Sequence, residues 1–184
     1  LLIKTKMKIY HLTFLLFFVM TLKESYGCED PLGMESGEIK DSQITASSYD
    51  GKRFNAPSNA RLHMQPVEGK SGGAWASGSS KSPQWVQIDL GAVKKVTAIA
   101  TQGHPDKKLW IKTYQILYGN DRNYLAWYGN WRLFTGNTDR NSVVKHILNP
   151  PVEARYIVVM MKSWQWWPAM RIELYGCAGN YNVM

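Results

Sequence analysis

Residues 85–90 read WVQIDL. Successive side chains of an extended chain point to opposite faces, so Val86, Ile88 and Leu90 share one face while Trp85, Gln87 and Asp89 share the other. The same period of two returns in VTAIATQ (96–102), TYQILYG (113–119), VVKHIL (143–148), RYIVVMMK (155–162) and MRIELYG (170–176). Between these runs stand GNDRN, GNTDRN and NPP, whose Gly, Asn, Asp and Pro favour turns. RYIVVMMK is apolar on both faces, which predicts a central strand covered on each side. No segment carries an apolar stripe at a helical spacing. Short strands without intervening helices predict an antiparallel sandwich or barrel.

Residues 49–73, YDGKRFNAPSNARLHMQPVEGKSGG, break this pattern. The stretch is rich in Gly, Pro, Asn and Ser, and only ARLH offers something to pair. Long irregular segments inside a compact domain tend to carry function, so it is the first candidate for a binding surface.

The N-terminal region reads as an export signal. Lys4, Lys6 and Lys8 precede the apolar run LTFLLFFVMTL (12–22), and Ser25 and Gly27 supply small residues before Cys28. Leu1 to Lys6 lie ahead of Met7 and are read as upstream residues, which makes 1–27 upstream sequence plus signal peptide. Residues 178–184 form a short tail. The chain's net charge is +8; without Lys4, Lys6, Lys8, Lys23 and Glu24 it falls to +5. Such a mild, scattered excess suits sulfated glycans or anionic membranes and argues against nucleic acid. No stretch after Cys28 approaches the ~20 apolar residues of a membrane-spanning helix. Cys28 and Cys177 are the only cysteines and bracket the remaining chain, which in an oxidising compartment reads as one disulfide joining its ends.

Catalytic patterns are weak. GKSGG (69–73) matches the spacing of a nucleophile elbow but lacks the strand before and the helix after it. His63, His104 and His146 are the imidazoles beyond the signal, with no H-E-x-x-H and no cysteine ligands nearby. No phosphate-binding glycine loop and no N-glycosylation sequon are present. No cofactor is expected. Asp50, Asp106 and nearby carbonyls are candidate ligands for Ca²⁺, and no ligand run of the required density accompanies them.

In order along the chain stand CEDPLGMESGEIKDSQITASS (28–48), ARLH (60–63), GAW (73–75), QWVQIDLG (84–91), VTAIATQG (96–103), W-x-K-T-Y (110–114), FTGNTD (134–139), PPVEARYIVV (150–159) and AMRIELYGC (169–177). This ordered set, from cysteine to cysteine, resembles the discoidin domain, the type C module of coagulation factors V and VIII. The resemblance implies an all-β fold, an eight-stranded antiparallel jelly-roll-like β-sandwich of the galactose-binding-domain-like type, spanning residues 28–177. Loops would cluster at one end and Cys28 would bond to Cys177. It also implies a secreted, non-catalytic adhesion or recognition module. Its ligand would be a glycan, a matrix protein or an anionic lipid headgroup such as phosphatidylserine.

Carried onto this chain, the ligand-facing loops are 49–59, 65–73 and 104–109. The candidate residues on and beside them are Tyr49, Asp50, Lys52, Arg53, Phe54, His63, His104, Lys107, Lys108 and Leu109. Collagen-binding relatives carry a cysteine pair at the positions of Ala76 and Ala169, which places the turn 165–168 beside the same end and adds Trp166 and Trp167. Those two stand where relatives often carry polar residues, so at least one ring is expected to be partly exposed. Trp164 matches a family tryptophan and is expected to pack. His63 and His104 occupy the positions of an acid and an arginine used by discoidin receptors for collagen, and a facing pair of imidazoles would couple binding to pH or to a metal. Arg61, Trp75, Trp85, Asp89, Arg155, Arg171 and Glu173 are expected to maintain the fold.

Overall fold

The computed structural model describes residues 28–50, 53–81 and 83–178, so the stretch read as an export signal and most of residues 178–184 lie outside the described residues. The described chain is all-β, with nine strands: β1 (Asp30–Pro31), β2 (Ile44–Ala46), β3 (Trp75–Ala76), β4 (Gln84–Gln102), β5 (Trp110–Asp121), β6 (Tyr124–Trp127), β7 (Phe134–Thr135), β8 (Val144–Gln165) and β9 (Ala169–Ala178). Three 3₁₀ turns are the only helical pieces among the described residues. Every ladder between named strands is antiparallel, in the order β1-β9-β4-β8-β5-β6, with β2 on β4, β3 on β9 and β7 on β5.

Two long strands build both layers. The first half of β4 pairs with β2 and with residues 156–161 of β8, whose other edge takes β5. Its second half pairs with residues 144–154 of β8 and with β9. Register shifts between Asp89 and Lys94 and between Val96 and Ala98 separate the halves. Bulges of this kind let a strand bend from one layer into the next, so the sheet curls on itself around a core.

Alternation fills that core as the sequence dictates. Val86, Ile88 and Leu90 from β4 meet Ile157, Val159 and Met161 from β8, together with Tyr114 and Ile116 from β5 and Ile172 and Leu174 from β9. RYIVVMMK lies within β8 between β4 and β5, the covered position its composition predicts. NPP (149–151) is a correction to the turn reading, because β8 runs through it without a break. Ile147 pairs with Ala98 and Val152 with Val96, so the prolines occupy a bulge, where a residue lacking N–H costs no ladder bond.

The ends meet as expected. Cys28 and Cys177 are bonded, with Cα atoms 4.6 Å apart across a sequence separation of 149. Beside them, a Cβ on Gly176 would lie 1.9 Å from the Lys95 carbonyl oxygen, so only glycine permits this close crossing of β9 and β4.

Buried charges then tie loops to the barrel. Glu173 is fully buried and accepts from the backbone N–H of Met34, Glu35 and Leu174. Arg171, also buried, donates to the carbonyls of Gly103, Met64 and Arg140. Arg61 donates to the Met34 and Ile39 carbonyls and to Asp41. Trp75 is buried and its Nε1–H reaches the Ser48 carbonyl. These residues hold backbone, which is the fold-maintaining role read for them.

Candidate functional site

The loops gather where β3 pairs with the start of β9. Ala76 lies opposite Ala169, and Ser77 N–H donates to the Pro168 carbonyl, so the turn 165–168 stands against residues 77–78. Trp166, with a left-handed φ of 59°, projects outward and is 76% exposed. Trp167 is 38% exposed, and its Nε1–H donates to the Ser77 carbonyl at 2.7 Å. Trp164 packs against the core. Of the three indoles, one is structural, one is anchored at the surface and one is largely open to solvent.

Beside Trp167 opens a cleft of about 240 Å³, lined by Asp50, Asn55, Ala76, Ser77, Gly78, Lys107, Leu109 and Trp167. Three segments build it. Asp50 and a 3₁₀ turn (Arg53–Asn55) form one side, where Asn55 Nδ2 donates to Asp50 Oδ2 at 3.0 Å. Asn55 Oδ1 is buried without a hydrogen-bond partner. Residues 77–78 form the floor, with Gly78 N–H donating to Ser48 Oγ, and a Cβ at Gly78 would lie 2.5 Å from the Tyr49 carbonyl. The loop 104–109 closes the far side, its ends stitched by the bond from His104 N–H to the Leu109 carbonyl at 2.8 Å.

Of the candidate residues, the cleft brings together Asp50, Lys107, Leu109 and Trp167. Tyr49, Phe54, Trp166 and Lys108 are exposed around the loops. Lys52 lies outside the described residues, as does the side chain of Arg53, whose backbone is part of the 3₁₀ turn. His63 belongs elsewhere. It has a left-handed φ of 56°, sits 3.0 Å from Glu35 and lines a separate cleft of about 180 Å³ with Glu35, Arg61, Leu62 and Met64.

His104 requires correction. It is 1% exposed rather than on the loop surface, and Nδ1 accepts the backbone N–H groups of Asp106 and Lys107, each at 3.2 Å. Burial, reinforced by Lys107, lowers its pKa to about 4, so the ring is neutral at physiological pH. The facing pair of imidazoles is likewise replaced by two separate arrangements, His63 with Glu35 and His104 with its own loop. The Ser71 hydroxyl of GKSGG accepts the Gly73 N–H and shapes the loop. No group of three or more His, Cys, Asp or Glu that could hold a metal ion occurs among the described residues.

Sequence reasoning missed Asn55, Ala76, Ser77 and Gly78 as cleft residues. The cysteine positions of collagen-binding relatives had marked Ala76 as a neighbour of this end, and Asn55 fell within the ligand-facing loop 49–59 without being singled out.

The cleft is a small polar and aromatic recess carried by irregular loops on a rigid barrel. That is the design of a binding module of the discoidin type. Residues 43–174 match the family model described as F5/8 type C domain, and the chain belongs to that family. It is 40% identical over 163 residues to coagulation factor V of Pseudonaja textilis, covering 84% of this chain and 11% of that protein. It is 41% identical over 159 residues to retinoschisin of Takifugu rubripes, covering 80% of this chain and 54% of that one. The chain thus spans about a tenth of the length of the one relative and about half of the other. Among solved structures, recombinant discoidin II of Dictyostelium discoideum superposes with a TM-score of 0.69 at 26% identity, covering 73% of this chain and 55% of that one. A family 32 carbohydrate-binding module from C. perfringens NanJ, solved with galactose, superposes with a TM-score of 0.56 at 20% identity, covering 74% of this chain and 96% of that one, and shares the fold.

Proposed function

We propose that the chain is a secreted, non-catalytic adhesion and recognition module that captures a sugar residue in the cleft bounded by Asp50, Asn55, Lys107 and Trp167. One observation carries this reading: an indole fixed by its own N–H bond stands beside a carboxylate, an unpartnered buried amide oxygen and an ammonium group. A sugar ring offers C–H groups to an aromatic face and hydroxyls to acceptors and cations, so it satisfies both halves of such a site. The disulfide across the chain ends fits an oxidising, extracellular setting.

A second reading is supported by the rim. Tyr49, Phe54 and Trp166 are exposed, and Lys107 and Lys108 stand on a neighbouring loop. Aromatic residues at an interface with cations nearby suit an anionic membrane surface. Parallel binding to a glycan array, to collagens and to phosphatidylserine vesicles separates the readings. Array signal lost in Trp167→Ala supports the sugar reading. Retention by vesicles or collagen with a silent array would overturn it.

A further inference from the structure

We propose that His104 is a positioning residue of the cleft, holding through Nδ1 the loop that presents Lys107 and Leu109. The inference rests on reading the cleft as a ligand site, and its geometry stands apart from any ligand. Four bonds close the loop: His104 N–H to the Leu109 carbonyl, Leu109 N–H to the Lys107 carbonyl, and the amides of Asp106 and Lys107 to His104 Nδ1. One ring nitrogen therefore accepts two amide protons. An Asn or Asp side chain commonly plays that part in turns, accepting from backbone N–H two residues ahead. With Nδ1 an acceptor, the ring proton resides on Nε2, which is buried without a partner.

Proton uptake at Nδ1 places an N–H where two N–H groups already point. Both bonds are then lost, and with them the placement of Lys107 and Leu109. The charged and titratable surroundings oppose such uptake. Lys107 on the same loop and Arg171 from β9 both disfavour a second positive charge, and Asp106 alone favours it. From the turn after β7, Arg140 donates to the Asp106 carbonyl, while the Asp139 carbonyl lies against Gly103. Pro105 abuts Gly73 and so holds this loop to the 65–73 segment. Recognition should accordingly persist through mildly acidic pH and collapse only when His104 is protonated.

The test uses His104→Asn, which keeps an acceptor that does not titrate, and His104→Leu, which removes it. In amide NMR of the wild-type protein, the Asp106 and Lys107 resonances should move together with the His104 ring as pH falls through about 4, with the proton on Nε2 at neutral pH. In His104→Asn that titration should vanish. Binding to immobilised galactose is the second arm. His104→Leu should weaken it about tenfold, the loss expected when two partly buried amides lose their acceptor and the loop its placement, and His104→Asn should restore most of it. Wild-type amides that ignore the ring's titration, or a His104→Leu variant binding galactose as wild type does, overturn the proposal. If the amides behave as stated but wild-type protein ignores galactose, the loop assignment stands and the sugar reading falls. Should either variant fail to fold, the wild-type titration decides alone.

Discussion

The indole N–H of Trp167 reaches the carbonyl of Ser77 across a sequence distance of 90 residues, and that bond turns a surface ring into a fixed wall of the cleft. A surface tryptophan free to rotate would lose entropy on binding, whereas this one is already oriented. Trp167→Ala should therefore cut sugar binding at least about tenfold, the scale of a lost aromatic anchor. Trp167→Phe keeps a ring but not its tether, and should lie between the two. Trp166→Ala should leave sugar binding within about threefold while reducing any attachment to anionic vesicles. Array titrations and vesicle sedimentation on the three variants check this.

Arg171 is the anchor of the loop end. Its guanidinium donates to three carbonyls from three separate segments, at 2.8, 3.0 and 2.9 Å. Arg171→Met leaves those acceptors stranded and should cost about 3 kcal/mol in urea unfolding. Arg171→Lys keeps the charge but cannot span three directions, and should recover less than half of that loss.

His104 makes folding stability depend on acid. Its native pKa is lowered to about 4 from an ordinary 6.5. Between those values the unfolded chain binds a proton that the native state refuses, so stability is full above about pH 6.5 and declines as pH falls toward 4. The decline should reach on the order of 3 kcal/mol. His104→Asn should flatten the slope over that window. Thermal or urea midpoints measured at half-unit pH steps on both proteins give the comparison.

Reduction of the Cys28–Cys177 bond releases a loop closed across a separation of 149 residues. In the chain-entropy account, that constraint is worth about 5 kcal/mol. Reduced protein, or a double Cys→Ser variant, should therefore unfold at markedly lower urea concentration than the oxidised form. Unchanged midpoints would show that the barrel closes without it.

Much of the barrel was legible because its strands obey one rule. Val86 and Ile88 on β4, and Ile157, Val159 and Met161 on β8, stand two residues apart along their strands, and each of the five is buried. The prolines of NPP misled, since the chain absorbs them in a bulge that depends on how β8 registers with β4, which no local pattern encodes. That at least one of Trp166 and Trp167 is partly exposed could be foreseen from a resemblance, but the tether to Ser77 could not, because it joins residues distant in sequence. His104 was misplaced for a related reason. TQGHPDKK reads as a polar tip, yet its imidazole turns inward because two amides further along the same loop need an acceptor. Asn55 sits in FNAPSN, where asparagine announces a turn and says nothing of a cleft.

The manner in which Arg171 grips the loops bears on how such a domain diversifies. The guanidinium reads main-chain oxygens, so the side chains at Met64 and Arg140 are not specified by the contact. Substitution on these segments can reshape what the outer pole recognises while the foundation beneath keeps its grip. One barrel can thus serve partners of unrelated chemistry, each version differing in the tips of its loops and hardly at all in the frame that bears them.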